Sequence, residues 1–539
     1  MRMTITRSTL ALALGLGMIA GSAQAADFFV KSTWTNQGAV DADPAGAGLT
    51  FGTDAFATIG AAVTAARNNG PVDPDTITVY AGNYSGALNL NNVAASNITL
   101  LGPNANIDPN TGTRVAEAIV ASGLNLQGTT DVTVNGFTFT THIQQGNVST
   151  NSTISHNRFM NLTASNFIAG GGAVSGTNLL FTRNLISGVT GNNNSGLNMF
   201  AGGVWSDVEI SFNTFQNISY AGIQPNAMSN LRILGNTISN TGRHAINIGP
   251  GISDLVIAGN IITNVNFQNN RSDVFTGGIR LYSGGEGVSN VTIDSNVIDN
   301  ANNGIYFRPV AGVTDVPSSL TITNNSITNS TFYGIGIGGT AEGINGDINL
   351  DGNYIAGNTL GDDNSADLPA GGTVVTTNPS AQPPVLDTDG DGIPDWQEIF
   401  VLGTDPNDPD QDGDGVPDGI QIALGGDPLT STPATSPTPG TGDSDGDGFL
   451  DTYEALVGTD FNDPNSVPTL GDVNGNGVID NGDAAIAFGI VAGTLPPFAF
   501  NRTRLDANLD GTLNNQDVNA LFGRFLGLAG FETLPASND

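Results

Sequence analysis

Carboxylates at alternating positions mark the segment DTDGDGIPDWQE, residues 387–398. Acidic residues hold its first, third, fifth, ninth and twelfth positions, and glycine holds the sixth. In order, these residues are Asp387, Asp389, Asp391, Asp395 and Glu398, with Gly392 at the sixth. A hard cation such as Ca²⁺ takes about six to eight oxygen ligands, and a sharp turn at the sixth position aims alternating carboxylates at one point. The spacing therefore predicts a calcium-binding loop.

Four further segments repeat this spacing, each with glycine at the sixth position. The second has glutamine at the twelfth position, so we expect it to bind more weakly or to borrow a ligand. Its residues are Asp410, Asp412, Asp414, Asp418 and Gln421. The third has Asp443, Asp445, Asp447, Asp451 and Glu454. The last two have Asp472, Asn474, Asn476, Asp480 and Asp483, and Asp506, Asn508, Asp510, Asn514 and Asp517. One such segment could be a solvated acidic turn, but five with the same glycine predict Ca²⁺ as the cofactor.

The charge of the chain is concentrated in this region. The 539 residues include 50 acids and 15 bases, a net charge of −35, and no cysteine. Residues 387–539 hold 27 of those acids and only three bases, and 20 of the acids occupy the loop positions above. Such a balance argues against nucleic acid and anionic membrane as partners. The missing cysteines exclude disulfides and thiolate metal sites, which leaves metal ions as the means of cross-linking.

The N-terminus has the organisation of a secretory signal peptide. Arg2 and Arg7 precede an apolar run from Leu10 to Ala20, and Ala23-Gln24-Ala25 is a small-x-small cleavage site. The apolar run is too short for a membrane-spanning helix, and no later stretch is long and apolar enough for one. We therefore expect residues 1–25 to be removed and the protein to be secreted, extracellular or held at the cell surface by a partner.

The middle of the chain repeats one phrase: alternating apolar residues, then Asn, one more apolar residue, and often a second Asn. The anchoring residues are Asn157, Asn184, Asn213, Asn236, Asn260, Asn296, Asn325 and Asn353. A period of 23 to 36 residues with two-residue alternation predicts a solenoid of short parallel strands, stacked to bury a continuous core. We expect these Asn residues to adopt left-handed or bridge conformations at the turns and to hydrogen-bond the Asn of the next coil.

Several other signals divide the chain into domains. Asp54 followed by AFATIGAAVTAAR predicts a capping helix with Phe56, Ile59, Val63 and Ala66 on one face. Strands are predicted at 75–80 and 96–102, and extra loops at 261–278 and 304–318. The expected domains are the cap and first coils at 26–125, the solenoid at 126–370, a linker at 371–386, calcium repeats at 387–465 with a Pro/Thr linker at 431–442, and a loop-and-helix domain at 470–530.

A second strand signal, Gly-Ile-x-apolar, places polar and aromatic residues on one outward face. Its alignment puts Gln224, Asn247, Arg280 and Tyr306 at equivalent positions, with Tyr282 and Arg308 two residues later. Arg243 and His244 are expected two coils before this patch, and Arg271 and Asp273 on an adjoining loop. Arginine with tyrosine suits sugar or uronate recognition, because the guanidinium matches a carboxylate and the ring offers a flat face. Arg280, Tyr282, Tyr306 and Arg308 are therefore the candidate substrate-binding residues.

The same residues could instead be ordinary solvent-facing side chains. The catalytic candidates are Arg280, Arg308, Asp273 and Glu286, with Asp207 and Glu209 as a second carboxylate pair. A glycosidase needs two carboxyl groups about 5–10 Å apart across a cleft, which sequence spacing does not establish. His142 and His156 are assigned to coil turns.

The repeat phrase resembles the right-handed parallel β-helix proteins of the pectate-lyase-like superfamily over about residues 30–375. That fold hosts polysaccharide lyases, hydrolases and non-catalytic adhesins, so it does not decide the activity. Lyases of the superfamily commonly use a basic residue and calcium, yet no lysine lies on the coils. The paired aspartates and Gly-His-Gly phrase of polygalacturonase-like enzymes are also missing.

Two further resemblances concern the calcium region. The LGTDP and VGTDF phrases beside the loops resemble thrombospondin type 3 repeats and their bacterial counterparts. The duplicated loop-plus-helix at 470–530 resembles a type I dockerin, which implies a cohesin-type scaffold protein as partner. The partner-contacting positions implied by the resemblance hold Asn481-Gly482 and Asn515-Gln516, where the family's common Ser-Thr pair is absent.

The sequence thus predicts an all-β chain: a right-handed parallel β-helix solenoid with a small N-terminal cap helix, then calcium-loop repeats and a small α-helical, EF-hand-like dockerin domain. The first functional hypothesis is a secreted calcium-binding protein whose β-helix binds or degrades polysaccharide, as a lyase or glycoside hydrolase, and whose dockerin docks it to a cohesin-type scaffold. The alternative is a non-catalytic surface or adhesion protein with the β-helix as a rigid stalk.

Overall fold

The computed structural model describes the cap, the coils and the beginning of the calcium region. The described residues are 26–34, 49–69, 74–85, 88–90, 96–110, 112–121, 123–126, 128–141, 143–144, 149–164, 176–199, 205–266, 276–282, 287–308, 320–337, 348–350, 352–363, 374–375, 386–412, 418–423 and 428–429. The predicted signal peptide, the last three calcium loops and the dockerin-like domain lie outside these residues.

The described chain is mostly β-structure, and all strand pairs among the described residues are parallel. The longest sheet has fourteen strands; Ala55–Phe56 forms one edge beside Asp27–Val30, and the later strands follow in chain order. In sheet order they are Ala55–Phe56, Asp27–Val30, Asp75–Val79, Ser96–Leu101, Thr130–Asn135, Ser149–Ser155, Gly176–Thr182, Trp205–Ser211, Met228–Leu234, Ile252–Ala258, Val288–Asp294, Leu320–Thr323, Ile348–Asn349 and Val374–Val375. We call this the fourteen-stranded sheet. Its last strand extends the ladder into residues 371–386, where a linker was expected.

Each coil then contributes one strand to a second sheet of eleven strands. In sheet order these are Tyr354–Ala356, Ser326–Thr328, Val297–Asp299, Ile261–Val265, Thr237–Thr241, Thr214–Ile218, Leu185–Val189, Arg158–Met160, Thr138–Phe139, Ala118–Val120 and Gly82–Tyr84.

The third face of the coils carries two sheets, one after the other along the solenoid. The first has three strands, Ile143–Gln144, Leu124–Asn125 and Leu88–Asn89. The second, the seven-stranded sheet, has Leu197–Met199, Ala221–Pro225, His244–Ile248, Ile279–Tyr282, Ile305–Arg308, Tyr333–Ile337 and Gly361–Asp363. The Gly-Ile signals mark this sheet, as predicted. Parallel sheets on all faces of a repeating coil are typical of a parallel β-helix, so the predicted fold is confirmed.

The core consists of columns of like residues stacked from coil to coil. Phe139, Phe159 and Phe181 are fully buried, and their ring centroids lie 5.1 and 6.0 Å apart in sequence order. Ile210, Ile233, Ile257 and Ile293 form a second column, with no exposed surface on any of them. Because a single coil cannot enclose its apolar side chains, this inter-coil stacking supplies the hydrophobic stabilisation of the fold.

The Asn ladder is present as predicted. From Asn157 to Asn353, the backbone N–H of each anchoring Asn donates to the Oδ1 of the next at 2.9–3.0 Å. Each amide also reaches the core backbone: Nδ2 of Asn236, for example, donates to the carbonyl of Ile210 at 2.8 Å. The ladder satisfies polar groups that the turn would otherwise leave buried without partners.

The predicted left-handed conformation does not belong to the anchoring Asn residues. The residue before each of them has positive φ, as at Phe212 (54°) and Gly235 (58°), and so does the second Asn of the phrase, as at Asn217 (56°). Where the second Asn is replaced, Gly188 (74°) and Gly357 (69°) keep the positive φ. Of the two predicted conformations, the left-handed one therefore belongs to the neighbours of the first Asn, while the amide of the first Asn closes the turn.

The cap helix extends over Ile59–Asn69. Ile59, Val63 and Ala66 of its predicted apolar face are buried, whereas Phe56, also buried, lies in the strand before the helix. Asp54 is not its N-cap, however, because the chain first forms the short strand Ala55–Phe56. The hydroxyl of Thr58 accepts the N–H of Ala61 at 3.3 Å in its place.

The described part of the calcium region is mostly loop with three short helical segments. These are Asp395–Gln397, a π-helical turn over Glu398–Leu402, and Asp418–Ala423. None of the helices in the described ranges is long and apolar enough to cross a lipid bilayer.

Candidate functional site

The first calcium loop brings its leading carboxylates together. One carboxylate oxygen from each of Asp387, Asp389 and Asp391 lies within 4.8 Å of the other two. Gly390 (φ 75°) and Gly392 (φ 100°) make the turns that fold these side chains towards one point. Backbone amides orient two of these carboxylates. The N–H of Gly390 donates to Oδ1 of Asp387 at 2.8 Å, and the N–H of Ile393 donates to Oδ1 of Asp391 at 2.7 Å.

Glu398, at the twelfth position, is fully buried. Its Oε1 accepts a hydrogen bond from the Thr404 hydroxyl at 3.3 Å, while its Oε2 has no partner among the described residues. Burial, followed by the charges of Asp389 and Asp391, raises the pKa of Glu398 to about 8. A buried carboxylate is costly unless a cation or donors compensate it, so the loop has the electrostatics of a cation site.

The ninth-position residue, Asp395, has a different environment. Its two oxygens accept from the N–H and the hydroxyl of Thr388, each at 2.7 Å. These bonds join the beginning of the loop to its closing helical turn. The ninth position of such loops often reaches the ion through a water, and this arrangement is compatible with that role.

The donor set fits Ca²⁺. All five predicted positions offer carboxylate oxygens, and Oδ2 of Asp389 is buried without a hydrogen-bond partner among the described residues. Burial is the main cause that raises the pKa of Asp387 and that of Asp391, the latter to about 6. Crowded acidic oxygens of this kind suit a hard divalent cation.

The second loop is described only in part, because Asp414 lies outside the described residues. Asp418 is fully buried, accepts from the N–H of Gln411 at 2.9 Å, and has a pKa raised by burial. Gln421 Nε2 donates to Oδ2 of Asp412 at 2.8 Å. The two loops touch where the N–H of Gly419 donates to Oδ2 of Asp391 at 3.1 Å.

The predicted Arg–Tyr patch lies on the seven-stranded sheet. Arg280 is paired in register with Asn247 on one side and Tyr306 on the other, and Tyr282 is paired with Arg308. The guanidinium carbons of Arg280 and Arg308 lie 4.8 and 5.5 Å from the Tyr282 ring centroid. The alignment of the Gly-Ile strands therefore predicted the register of these four residues correctly, but Arg280 and Tyr306 are buried and do not face outward.

Further residues extend this patch by one coil. Arg243 lies over the ring of Tyr220 at 5.6 Å, and His244 meets the same ring edge-on at 5.9 Å. His244 and Arg243 were expected two coils before the patch, but the strand His244–Ile248 pairs directly with Ile279–Tyr282. The long insertion between these two strands in the sequence hid the fact that they lie on adjacent coils. Tyr220 was missed, because it precedes its strand and carries no motif.

Arg280 has an unusual environment for a charged residue, since only 8% of its surface is exposed. Its Nη1 donates to Oδ1 of Asn247 at 2.8 Å, and its Nε has no partner among the described residues. Burial lowers the pKa of Arg280 to about 10, Tyr220 opposes that shift, and the charges of Arg308 and Arg243 add to it. None of the ion pairs between described residues includes Arg280. Arg280 is therefore a desolvated cation rather than an ordinary solvent-facing side chain.

The other candidate residues lie elsewhere or outside the described chain. Tyr306 is only 3% exposed, so it packs rather than projects. Asp207 and Glu209 lie on the fourteen-stranded sheet, away from the Arg–Tyr strands. There Asp207 accepts from Asn230 at 2.8 Å and Glu209 pairs with Arg232 at 3.7 Å. Asp273, Glu286 and His142 lie outside the described residues, and His156 occupies a coil turn as predicted.

Comparison with known families decides the identity of the C-terminal segments. Residues 470–526 match the family model of the dockerin type I domain. Residues 387–409 and 443–464 match that of the bacterial TSP3 repeat. Both resemblances predicted from the loops are thus confirmed, and both modules are calcium-binding modules. The second calcium loop, with Gln421 at its twelfth position, lies outside the matched residues.

Solved structures with a similar chain path have low identity to this protein. The catalytic domain of a GH87 α-1,3-glucanase in complex with nigerose is 14% identical, with a TM-score of 0.37, and the match covers 60% of this chain and 67% of that one. An alginate lyase from Paenibacillus sp. is 12% identical, with a TM-score of 0.30 and coverages of 60% and 97%. A GH136 lacto-N-biosidase from Eubacterium ramulus is 9% identical, with a TM-score of 0.37 and coverages of 66% and 67%. No curated protein sequence matches the chain.

Proposed function

We propose that the β-helix binds an acidic polysaccharide at the Arg–Tyr patch, and that the dockerin segment attaches the protein to a cohesin-type scaffold. The observation that carries the polysaccharide proposal is the buried guanidinium of Arg280. A desolvated cation attracts a carboxylate or sulfate more strongly than a solvated one, because the local dielectric is low. Charge-assisted hydrogen bonds to such anions are about twice as strong as neutral ones.

The aromatic residues complete the proposed binding site. Tyr282 lies against both Arg280 and Arg308, so its ring keeps the two cations apart and offers an apolar surface to a sugar ring. Arg243 and Tyr220 extend the same chemistry to the preceding coil. Neighbouring coils are about 4.8 Å apart, so successive cations suit a polymer that carries anionic groups along its length.

The calcium loops are proposed to be structural. In the first loop, Asp387, Asp389, Asp391 and Glu398 would coordinate Ca²⁺ directly and Asp395 through a water. The same roles are proposed for the matching positions of the other four loops. Ca²⁺ would supply there the cross-links that a cysteine-free chain cannot form with disulfides. We also propose that the predicted signal peptide directs export and that the mature protein acts outside the cell.

The binding proposal can be tested on a panel of acidic and neutral polysaccharides. We expect the full-length protein to bind a polyuronate or sulfated glycan and not a neutral glucan, with affinity falling as salt rises. Arg280→Gln should weaken binding at least about tenfold, while Arg232→Gln on the fourteen-stranded sheet should not change it. Equal binding by the two variants, or a preference for neutral glycans, would contradict the proposal. Product analysis on the same panel tests for lyase or glycoside hydrolase activity, for which Arg280, Arg308, Asp273 and Glu286 stay the candidates.

A second candidate function, a non-catalytic surface or adhesion protein, is favoured by the length of the fourteen-stranded sheet. Fourteen strands spaced by about 4.8 Å form a ladder about 60 Å long, which suits a rigid stalk. Absence of binding to every polysaccharide of the panel, with the protein folded and attached to its scaffold, would favour this function.

A further inference from the structure

The first calcium loop lies against the flank of the β-helix through an apolar contact centred on Trp396. Trp396 is only 7% exposed and forms a small apolar cluster with Leu234 and Ala258, both fully buried. Phe212, Val256 and Phe400 pack around this cluster, and the ring centroids of Phe212 and Trp396 are 6.4 Å apart. We call this the Trp396 contact. It joins the TSP3-matching segment to the coils.

The surface that receives Trp396 is a notch in a column of turn residues. This column comprises the left-handed residue before each ladder Asn: His156, Arg183, Phe212, Gly235, Gly259, Ser295, Asn324 and Gly352. Gly235 and Gly259 are the only pair of glycines on adjacent coils among these eight. A Cβ atom on Gly235 would come within 3.1 Å of the Trp396 ring, and one on Gly259 within 2.4 Å. The indole therefore occupies the space that side chains fill in five of the other coils.

A second column, formed by the residues directly before the left-handed ones, also changes character at the coils of Gly235 and Gly259. Its residues, which lie two positions before the ladder residues from Asn157 to Asn325, are Ser155, Thr182, Ser211, Leu234, Ala258, Asp294 and Thr323. All are polar except Leu234 and Ala258, which lie directly beside the two glycines. Two independent columns thus depart from their pattern at one place, and Trp396 covers that place. This coincidence indicates a surface built to receive an aromatic side chain.

Trp396 belongs to the calcium loop itself, between its ninth and twelfth positions. The helical turn Asp395–Gln397 carries the indole, and Glu398 follows immediately. Asp395 also lies close enough to Asp294 of the coils for their negative charges to repel. Without a cation, the clustered carboxylates of the loop oppose both the helical turn and its approach to Asp294. A bound Ca²⁺ would remove this opposition.

We propose that calcium binding to the first loop fastens the calcium region to the β-helix, with Trp396 as the anchor in the Gly235–Gly259 notch. This inference rests on the calcium binding proposed above. The partner surface is a segment of the same chain, residues 386–404, and the interface is controlled by a divalent cation. Its effect is to fix where the dockerin-bearing end leaves the β-helix.

The test uses tryptophan fluorescence of the full-length protein. The chain has three tryptophans, so the difference between wild type and Trp396→Phe isolates the signal of Trp396. With Ca²⁺ we expect this signal to resist acrylamide quenching, and chelation with EGTA should raise its quenching constant at least about twofold. An unchanged quenching constant on chelation would overturn the inference.

A matched pair of variants tests the notch. Gly259→Asn should tolerate the left-handed turn, since Asn324 occupies the same column with φ 55°, but its side chain occupies the indole position. Ser295→Asn makes the same new residue one coil further along. Gly259→Asn should expose Trp396 even with Ca²⁺, whereas Ser295→Asn should leave it protected. Equal protection in the two variants would refute the notch as the docking site.

Calcium titration separates this inference from the calcium proposal. Comparison of wild type with Asp389→Asn by calorimetry counts the ions held by the first loop. Loss of one bound ion in Asp389→Asn, with Trp396 quenching insensitive to EGTA in wild type, refutes the docking inference alone. An equal number of ions in both proteins refutes calcium binding by this loop, and the docking control with it.

Discussion

Nη1 of Arg280 donates a hydrogen bond to Oδ1 of Asn247 over 2.8 Å, between adjacent strands of the seven-stranded sheet. Both side chains are buried, with exposures of 8% and 5%. The amide oxygen orients the guanidinium without neutralising it. Because Asn247 is neutral, the positive charge of Arg280 stays available for an anionic ligand, even though the net charge of the chain is −35. A carboxylate at position 247 would neutralise that charge.

Asn247→Asp should abolish the excess charge while keeping the hydrogen bond. We expect affinity for a polyuronate to fall at least about tenfold, or about 1.4 kcal/mol, with a melting temperature equal to or above that of wild type. Gln224→Glu adds the same charge one coil earlier on the same sheet and should have a smaller effect. Binding titrations and thermal unfolding of both variants check this, and unchanged affinity in Asn247→Asp would argue against a role for the charge of Arg280.

Removal of one rung of the Asn ladder should destabilise the coils strongly. Asn236 is fully buried, and its amide bonds Ile210 O, Leu234 O and Asn260 Oδ1 at 2.8–3.1 Å. Asn236→Ala leaves several buried groups without partners, at about 1–3 kcal/mol each, so we expect a loss of at least about 3 kcal/mol in urea unfolding.

The matched control for that experiment is Asn240→Gly in the same coil. Asn240 has φ 53°, a conformation that glycine adopts without strain, and its amide makes one exposed bond to Asn217 at 3.2 Å. We expect a change below about 1 kcal/mol. A similar loss of unfolding free energy in both variants would show that the ladder Asn contributes no more to stability than an exposed turn Asn.

Calcium affinity of the first loop should rise with pH. Burial raises the pKa of Glu398 from 4.5 to about 8 in the folded loop without metal. Because the folded state then binds a proton that the unfolded state has released, this carboxyl group favours the metal-free fold at low pH, and its contribution is lost as pH rises from about 4.5 to 8. Ca²⁺ needs the ionised form, so binding should release protons in that window.

Calorimetry in buffers of different ionisation enthalpy measures this proton release. We expect release near pH 7 in wild type and a clearly smaller value in Glu398→Gln. Calcium affinity that is constant between pH 6 and 8.5 would contradict the assignment of Glu398 as a buried ligand.

Chelation should affect the calcium region and spare the β-helix. The ligand candidates all lie at residue 387 or beyond, whereas the ladder and the stacked core lie in the coils. With EGTA, we expect rapid proteolysis within 387–530 and an unchanged β-sheet circular dichroism signal from the coils. Equal proteolysis of that region with and without calcium would oppose the calcium assignment.

Local spacing was enough to predict the repeated parts of this protein. Each coil carries the same short phrase, so the register of Asn157 through Asn353 and the pairing of Tyr282 with Arg308 follow from alignment alone. Loop chemistry is also local, since the convergence of Asp387, Asp389 and Asp391 needs only alternation and two glycines.

Other features depended on contacts that periodicity does not encode. The burial of the Arg280 and Tyr306 side chains depends on how neighbouring residues pack against the seven-stranded sheet. The adjacency of His244 to the Arg280 strand was obscured by an insertion of variable length. The choice of left-handed residue within each turn depended on which group the Asn amide had to reach.

The sequence by itself determined the parallel coils, the Asn ladder and the calcium spacing, because each depends on a short local pattern that repeats from one coil or loop to the next. Only the tertiary structure decided that Arg280 is desolvated and that Trp396 lies on Gly235 and Gly259. Those contacts join residues that are distant in the chain, and their energies arise from burial and shape complementarity, which depend on the arrangement of neighbouring coils in space.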